Sequence, residues 1–230
     1  MIASRALALV TLGFVLASPV LHGQDRSRYR NFQLGGNLQS ISALTGVAVS
    51  EAKTIHQRPS VMQELQWQRP YAASSAAPAE TDSVKQITFS FYNDQLSRIV
   101  VDYDRDRTTG LTDSDLIEAI STAYGPPLKT VARAGRLVSH IEEESGTPVA
   151  RWGDAEYSVV LYRSSYASGF RMIVASPRLE ALARTADIQA LRLDEQEAPQ
   201  RELERQKKEA ADTRTSQEKA RVVNKAAFRP

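Results

Sequence analysis

The chain contains no cysteine. That excludes a disulfide framework and all thiolate chemistry. It also excludes a lipoprotein anchor, which needs a cysteine at the processed N-terminus. Histidine is nearly as scarce, with three in 230 residues, and only His56 and His140 lie beyond the first two dozen positions. There is no His-Glu-x-x-His for zinc, no Gly-x-Ser-x-Gly elbow and no phosphate-cradling glycine loop. Net charge is equally slight, at +2 from 29 basic and 27 acidic residues. Such a balance supplies no global field to draw in nucleic acid, and none is expected as a partner.

Long apolar runs are also missing, with one exception. Ala6 to Val20 is apolar apart from Thr11, Gly13, Ser18 and Pro19, and Arg5 precedes it. A run of about 15 residues is short for a membrane helix, which takes roughly 20, and fits a secretory leader. Residues 1–23 are therefore expected to be a signal peptide, with cleavage after Ala17 or Gly23. The working chain is expected in a periplasm or outside the cell, without a transmembrane span. Export without disulfides suits a bacterial envelope protein.

The remainder alternates helix and strand signals. Asn37 can cap a short helix with Leu38, Ile41 and Leu44 on one face and Gly46 at its end. Val61 to Arg69 carries Leu65 and Trp67 at alternating positions and reads as a strand that Pro70 ends. Tyr71 to Glu80 is rich in Ala, Ser and Pro and reads as a loop. Val84 to Tyr103 reads as a hairpin turning at Asn93-Asp94. A two-residue turn there sets Phe89 opposite Arg98. A three-residue loop, Asn93 to Gln95, sets Phe89 opposite Ile99 and keeps the apolar residues on one face, so it is preferred.

Thr112 with Asp115 makes a capping box for a helix to Tyr124, stopped by Gly125-Pro126-Pro127. Leu116, Ile117, Ile120 and Tyr124 form its buried stripe. Lys129 to Val149 fits a weak strand pair or a short helix. Arg151-Trp152 begins a strand, and Tyr157 to Leu161 and Phe170 to Val174 read as a second hairpin. Pro177 to Leu193 reads as a helix, with Leu179, Leu182, Ile188 and Leu191 on one side and Pro199 interrupting it. From Gln200 onward apolar heptad positions are absent, so residues 194–230 read as a charged extension, a solvated helix or a disordered tail, rather than a coiled coil.

The parts recur in order: helix, Gly, Trp strand, alternating hairpin. Gly46 to Gly125 spans 79 residues and Trp67 to Trp152 spans 85. The expected fold is α+β, with two α-β-β-β units (about 29–104 and 108–176) making an antiparallel sheet with helices on one face, inside a globular part of 29–193.

Leu34 to Gly46 with Trp67, and Gly110 to Pro126 with Trp152, resemble the small envelope lipoproteins of the SmpA/OmlA type and the tandem β-lactamase inhibitor proteins. The resemblance covers a minority of the chain. It implies a binder rather than an enzyme. The lipoproteins' anchoring cysteine and the inhibitors' disulfides have no counterpart here, and no functional residue is carried over.

Candidate site residues are few. Trp67 and Trp152, with Tyr71, can line a sugar groove, though alternating strand positions make core packing the ordinary explanation. His56 and Arg58, with Lys53, can bind an anion in a loop. Asp102-x-Asp104-x-Asp106 has the first spacings of a calcium loop, but Arg107 stands where the sharp turn needs Gly, and Asp113 stands in place of the bidentate Glu. Beside His140 stand Glu142, Glu143 and Glu144. Arg201, Arg205, Lys207, Lys208 and Arg214 in the extension alternate with Glu202, Glu204, Glu209, Asp212 and Glu218, which nearly cancel them. No metal, cofactor or catalytic residue is expected. The favoured function is protein binding in the envelope or extracellular space. A secreted hydrolase using carboxylates or the two histidines, and a scaffold acting through the charged tail, are the alternatives.

Overall fold

The computed structural model describes residues 25–69, 82–129, 146–164, 169–227 and 229. The leader, the 71–80 loop with Tyr71, and most of the ambiguous 129–149 stretch, including His140 and its three glutamates, lie outside the described residues.

The fold is mixed α+β. Strands β1 (Arg28–Tyr29) and β2 (Phe32–Gln33) form a two-stranded ribbon. Helix α1 spans Leu38–Thr45 and is followed by β3 (Lys53–His56), β4 (Met62–Gln68), β5 (Val84–Tyr92) and β6 (Gln95–Tyr103). A single turn, α2 (Arg105–Thr108), leads into α3 (Asp113–Tyr124). Then come β7 (Thr147–Gly153), β8 (Ser158–Arg163), β9 (Phe170–Ala175) and α4 (Pro177–Ala227).

Strands β3 to β9 make one antiparallel sheet in the order β3-β4-β5-β6-β9-β8-β7. The second half contributes a helix and three strands, the first a helix, three matching strands and the additional edge strand β3, and the halves meet at β6 and β9. The repetition holds to the residue: Trp67 pairs with Ile87 and Ile87 with Val101, while Trp152 pairs with Val159 and Val159 with Val174. Across the junction Val101 faces Met172 and Ile99 faces Val174, as a two-fold relation between the halves requires.

Local chemistry sets the elements. Asn37 accepts the Ser40 N–H at 2.8 Å, and Gly46 closes α1 in the left-handed region. Thr112 and Asp115 form the expected reciprocal capping box of α3. Gly153 has φ +146°, and a Cβ there would lie 2.4 Å from the Tyr157 carbonyl oxygen, so only glycine fits the β7–β8 turn.

The preferred β5–β6 register is present, with Phe89 opposite Ile99, but the expected three-residue loop is not. Asn93 and Asp94 form a two-residue turn with φ 46° and 61°, and a bulge at Ser97 restores the apolar alignment. The Ser97 hydroxyl donates to the Ser90 carbonyl at 2.9 Å. Both turn residues also bond elsewhere: Asn93 Oδ1 accepts the Val61 N–H and Asp94 Oδ1 the Leu38 N–H, each at 2.9 Å.

One face of the sheet carries the main core. Phe89, Leu65, Ile99, Val101, Val159, Leu161 and Val174 are buried there under Leu38 and Ile41 of α1 and Leu116, Ile120 and Tyr124 of α3. Each large side chain so placed contributes about 1.5–3 kcal/mol. Leu44 departs from expectation and is exposed: at 100° per residue it lies about 120° from Leu38, off the stripe of Leu38, Ile41 and Ser42. The N-terminal segment bridges the halves. Gly35 N–H donates to the Leu96 carbonyl at 2.8 Å, Arg26 pairs with Asp154 at 3.4 Å, and the Tyr124 hydroxyl donates to the Arg28 carbonyl at 2.8 Å. Burial pushes the neighbouring Tyr103 hydroxyl well above its ordinary range, so it stays neutral.

Helix α4 packs on the opposite face, over β5 and β6. Of the expected side only Leu179 is buried, together with Ala186 and Ala190; Leu182, Ile188 and Leu191 are exposed. Alanines let the helix axis approach the sheet, and bulky residues on that stripe would hold it off. Neither the expected end near Leu193 nor the interruption at Pro199 occurs: α4 continues for 51 residues. Proline removes one N–H and presses on one carbonyl, a cost that flanking turns can absorb. Arg201 reaches back to the Asp194 carbonyl at 2.8 Å and its carboxylate at 2.9 Å, adding a donor on the turn before the proline.

Candidate interaction surface

The four residues singled out from sequence separate into two kinds. Trp152 is 1 % exposed and donates its indole N–H to Ser121 Oγ at 3.2 Å. It is a core residue joining β7 to α3, and its ring offers nothing to a partner in this fold. Trp67, its counterpart in the first half, is half-buried against the same core. The two rings lie on different halves and form no common groove.

His56 and Arg58 do come together, with partners that sequence reading missed. His56 Nε2 lies 2.9 Å from Asp187 Oδ1. Arg58 donates to Glu197 at 2.7 Å, and that bond holds the Glu197 carboxyl below its ordinary value. Both contacts fix α4 to the β3 edge. They span 131 and 139 residues of chain, so no local pattern announces them. Between β3 and α4 lies an open cleft of about 220 Å³, lined by Ile55, His56, Gln57, Arg58, Ala190, Leu193 and Asp194. The His56–Asp187 pair has the form of two thirds of a hydrolytic triad. Among the described residues no hydroxyl is hydrogen-bonded to the ring to serve as nucleophile.

The calcium-like aspartates are engaged otherwise. Asp102 accepts Arg171 Nε at 2.6 Å, and Asp104 accepts Arg69 at 2.5 Å and the Asp106 N–H at 2.9 Å. Among the described residues no group of His, Asp or Glu is placed to hold a metal ion.

The β3 edge is a poor template for strand addition. It is four residues long, bulged between Thr54 and His56, and begins with Lys53, all features that blunt an edge.

Helix α4 itself presents a long open surface. Its first 21 residues lie along the sheet, and the pairs Arg98–Glu180, His56–Asp187 and Arg58–Glu197 fix that part. Beyond Glu197, residues 198–227 are all exposed and all helical. Thirty helical residues extend about 45 Å. Along this arm Arg205 pairs with Glu202 and Glu209 at 2.7 Å, and Arg214 with Glu218 at 3.6 Å. Leu203, Val222 and Val223 stand exposed on it.

No helix of the described residues is long and apolar enough to cross a membrane. Compared with known protein families, curated proteins and solved structures, the chain matches none.

Proposed function

We propose that the chain is an exported, non-enzymatic protein-binding module of the envelope or extracellular space, and that its binding element is the arm of α4, residues 198–227. The body serves as a rigid base. What supports this reading is the arm's complete exposure over thirty consecutive helical residues. A helix that is mostly polar and packs on nothing in its own chain is one form taken by an element that bridges to something else. An isolated helix of that composition is marginal in water, and continuity with the packed part of α4 supplies its nucleus.

The body offers less. The main core face is filled by α1, α3 and the N-terminal segment, and the β3 edge is short and bulged. The resemblance of Leu34–Gly46 and Gly110–Pro126 to two families of binders points the same way. Export rests on the Ala6–Val20 run.

The test is capture from envelope extract by the chain and by a form ending at Glu197. A partner held only by the longer form supports the reading. A partner held equally by both moves recognition to the body and removes the arm from it.

A further inference from the structure

We infer that the distal turns of the arm, Lys219 to Ala227, dock on an anionic lipid surface; the inference rests on the arm being the binding element.

Charge is distributed unevenly along the arm. Its proximal part neutralises itself, with Arg201 on Asp194 and Arg205 on Glu202 and Glu209. Beyond Glu218 there is no further acid, and Lys219, Arg221 and Lys225 follow. None of these three has an ion-pair partner among the described residues. The five cations between Arg201 and Arg214 are matched by five acids between Glu202 and Glu218, whereas these three have no matching acid among residues 219–230.

The apolar residues sit in the same turns. Val222 and Val223 are 70 % and 66 % exposed, among the most exposed large apolar side chains on the molecule. At 100° per residue, Val222, Ala226 and Val223 fall within an arc of about 100°. Arg221 and Lys225 project from the other side, and Lys219 emerges between the valines on a stem long enough to lie along them. Valine also lowers helix propensity, so two in succession on an exposed helix gain nothing from solvent. Apolar residues backed by free cations make an interfacial helix, whose affinity combines buried apolar area with attraction to anionic headgroups. A soluble polyanion would use the cations and leave the valines idle.

Geometry suits this role. The distal turns are the part of α4 farthest from the body, and the self-paired proximal turns hold them off.

The experiment is vesicle sedimentation with the full chain, comparing phosphatidylcholine vesicles with vesicles containing about 40 % phosphatidylglycerol. The N-terminal apolar run with Arg5 is common to the parent and the variants, so the difference between parent and variants reads the arm. The expected result is at least tenfold stronger partition to the anionic vesicles, weakening as salt is raised. Lys219→Glu/Arg221→Glu/Lys225→Glu should abolish that preference. Val222→Ser/Val223→Ser should weaken it severalfold at unchanged charge. All five side chains are exposed and away from the core, so the body folds in either variant, and circular dichroism checks the helix. No preference for anionic vesicles, or a preference that survives charge reversal, overturns the inference. So does a preference indifferent to the valines and competed by poly-glutamate, which would make the ligand a soluble polyanion. Partner capture by the charge-reversed chain, run beside it, separates the two readings. Capture that persists while lipid preference is absent sinks only the lipid inference, whereas capture independent of residues 198–230 sinks the arm.

Discussion

Arg98 on β6 and Glu180 in the first turn of α4 form an ion pair whose side chains are only 13 % and 18 % exposed. The pair ties the helix to the sheet at the point where α4 begins. Removing Glu180 leaves a guanidinium mostly desolvated and without its counter-charge. We expect Glu180→Ala to destabilise the body by about 2 kcal/mol, and the Arg98→Met/Glu180→Leu double variant to recover much of that loss. Urea unfolding of the three proteins measures both. A single-variant loss below about 0.5 kcal/mol would show that water already solvates the pair.

The two tryptophans should behave differently although they are equivalent in topology. Trp152→Ala opens a cavity in the core and orphans Ser121 Oγ, so a loss of about 3–5 kcal/mol is expected. Trp67 is half-buried, and Trp67→Ala should cost about 1–2 kcal/mol. Neither change should alter arm-dependent capture. Capture abolished by Trp67→Ala at near-native stability would give that ring the contact role its sequence position suggested.

Much of the fold was legible because its signals are local. Caps at Asn37 and Thr112, alternation in β5, β6, β8 and β9, and the recurring glycine and tryptophan define two units without any three-dimensional knowledge. The β5–β6 register was readable through the apolar side chains even though the turn was not. The extra residue lies at Ser97, inside the strand, and a bulge there leaves no mark on polarity. The stripe of α4 was misread for a related reason. Leucines usually mark the buried side of a helix, but here close approach to the sheet selects Ala186 and Ala190. The contacts of His56 and Arg58 were unreadable because Asp187 and Glu197 are ordinary surface acids until the fold brings them to the β3 edge.

Acid should weaken the body partly through Asp82. Its carboxylate takes two N–H groups of Arg30, at 2.9 and 2.7 Å, and the Val84 N–H at 3.0 Å. These bonds, that from Arg30 first, hold its pKa below the ordinary 3.8. The unfolded chain therefore binds the proton more readily than the folded one. The contribution is complete above about pH 4 and disappears as pH falls through the lower folded value. Asp82→Asn should accordingly lose less stability than the parent between about pH 4 and pH 2. Urea midpoints across that range decide it, and parallel curves for the two proteins would assign the acid sensitivity elsewhere.

Pro199 marks where α4 leaves the body, two residues after the Arg58–Glu197 bond and within a fully exposed turn. A proline there withholds the N–H that the Glu195 carbonyl would accept, and its ring presses on that carbonyl. In a helix interior the difference from alanine is about 3 kcal/mol. Pro199→Ala should therefore strengthen the helix locally, without touching the core. Amide exchange across residues 195–205 should slow markedly, while global unfolding of the sheet stays where it was. The arm's direction should change as well, because proline is a common cause of a bend. If the direction set at Pro199 aims the arm, capture falls in Pro199→Ala even as the helix gains order. If the arm acts only as a tether, capture is unchanged. Unaltered exchange in residues 195–205 would mean that the hydrogen bond withheld from the Glu195 carbonyl does not limit the local order of the helix.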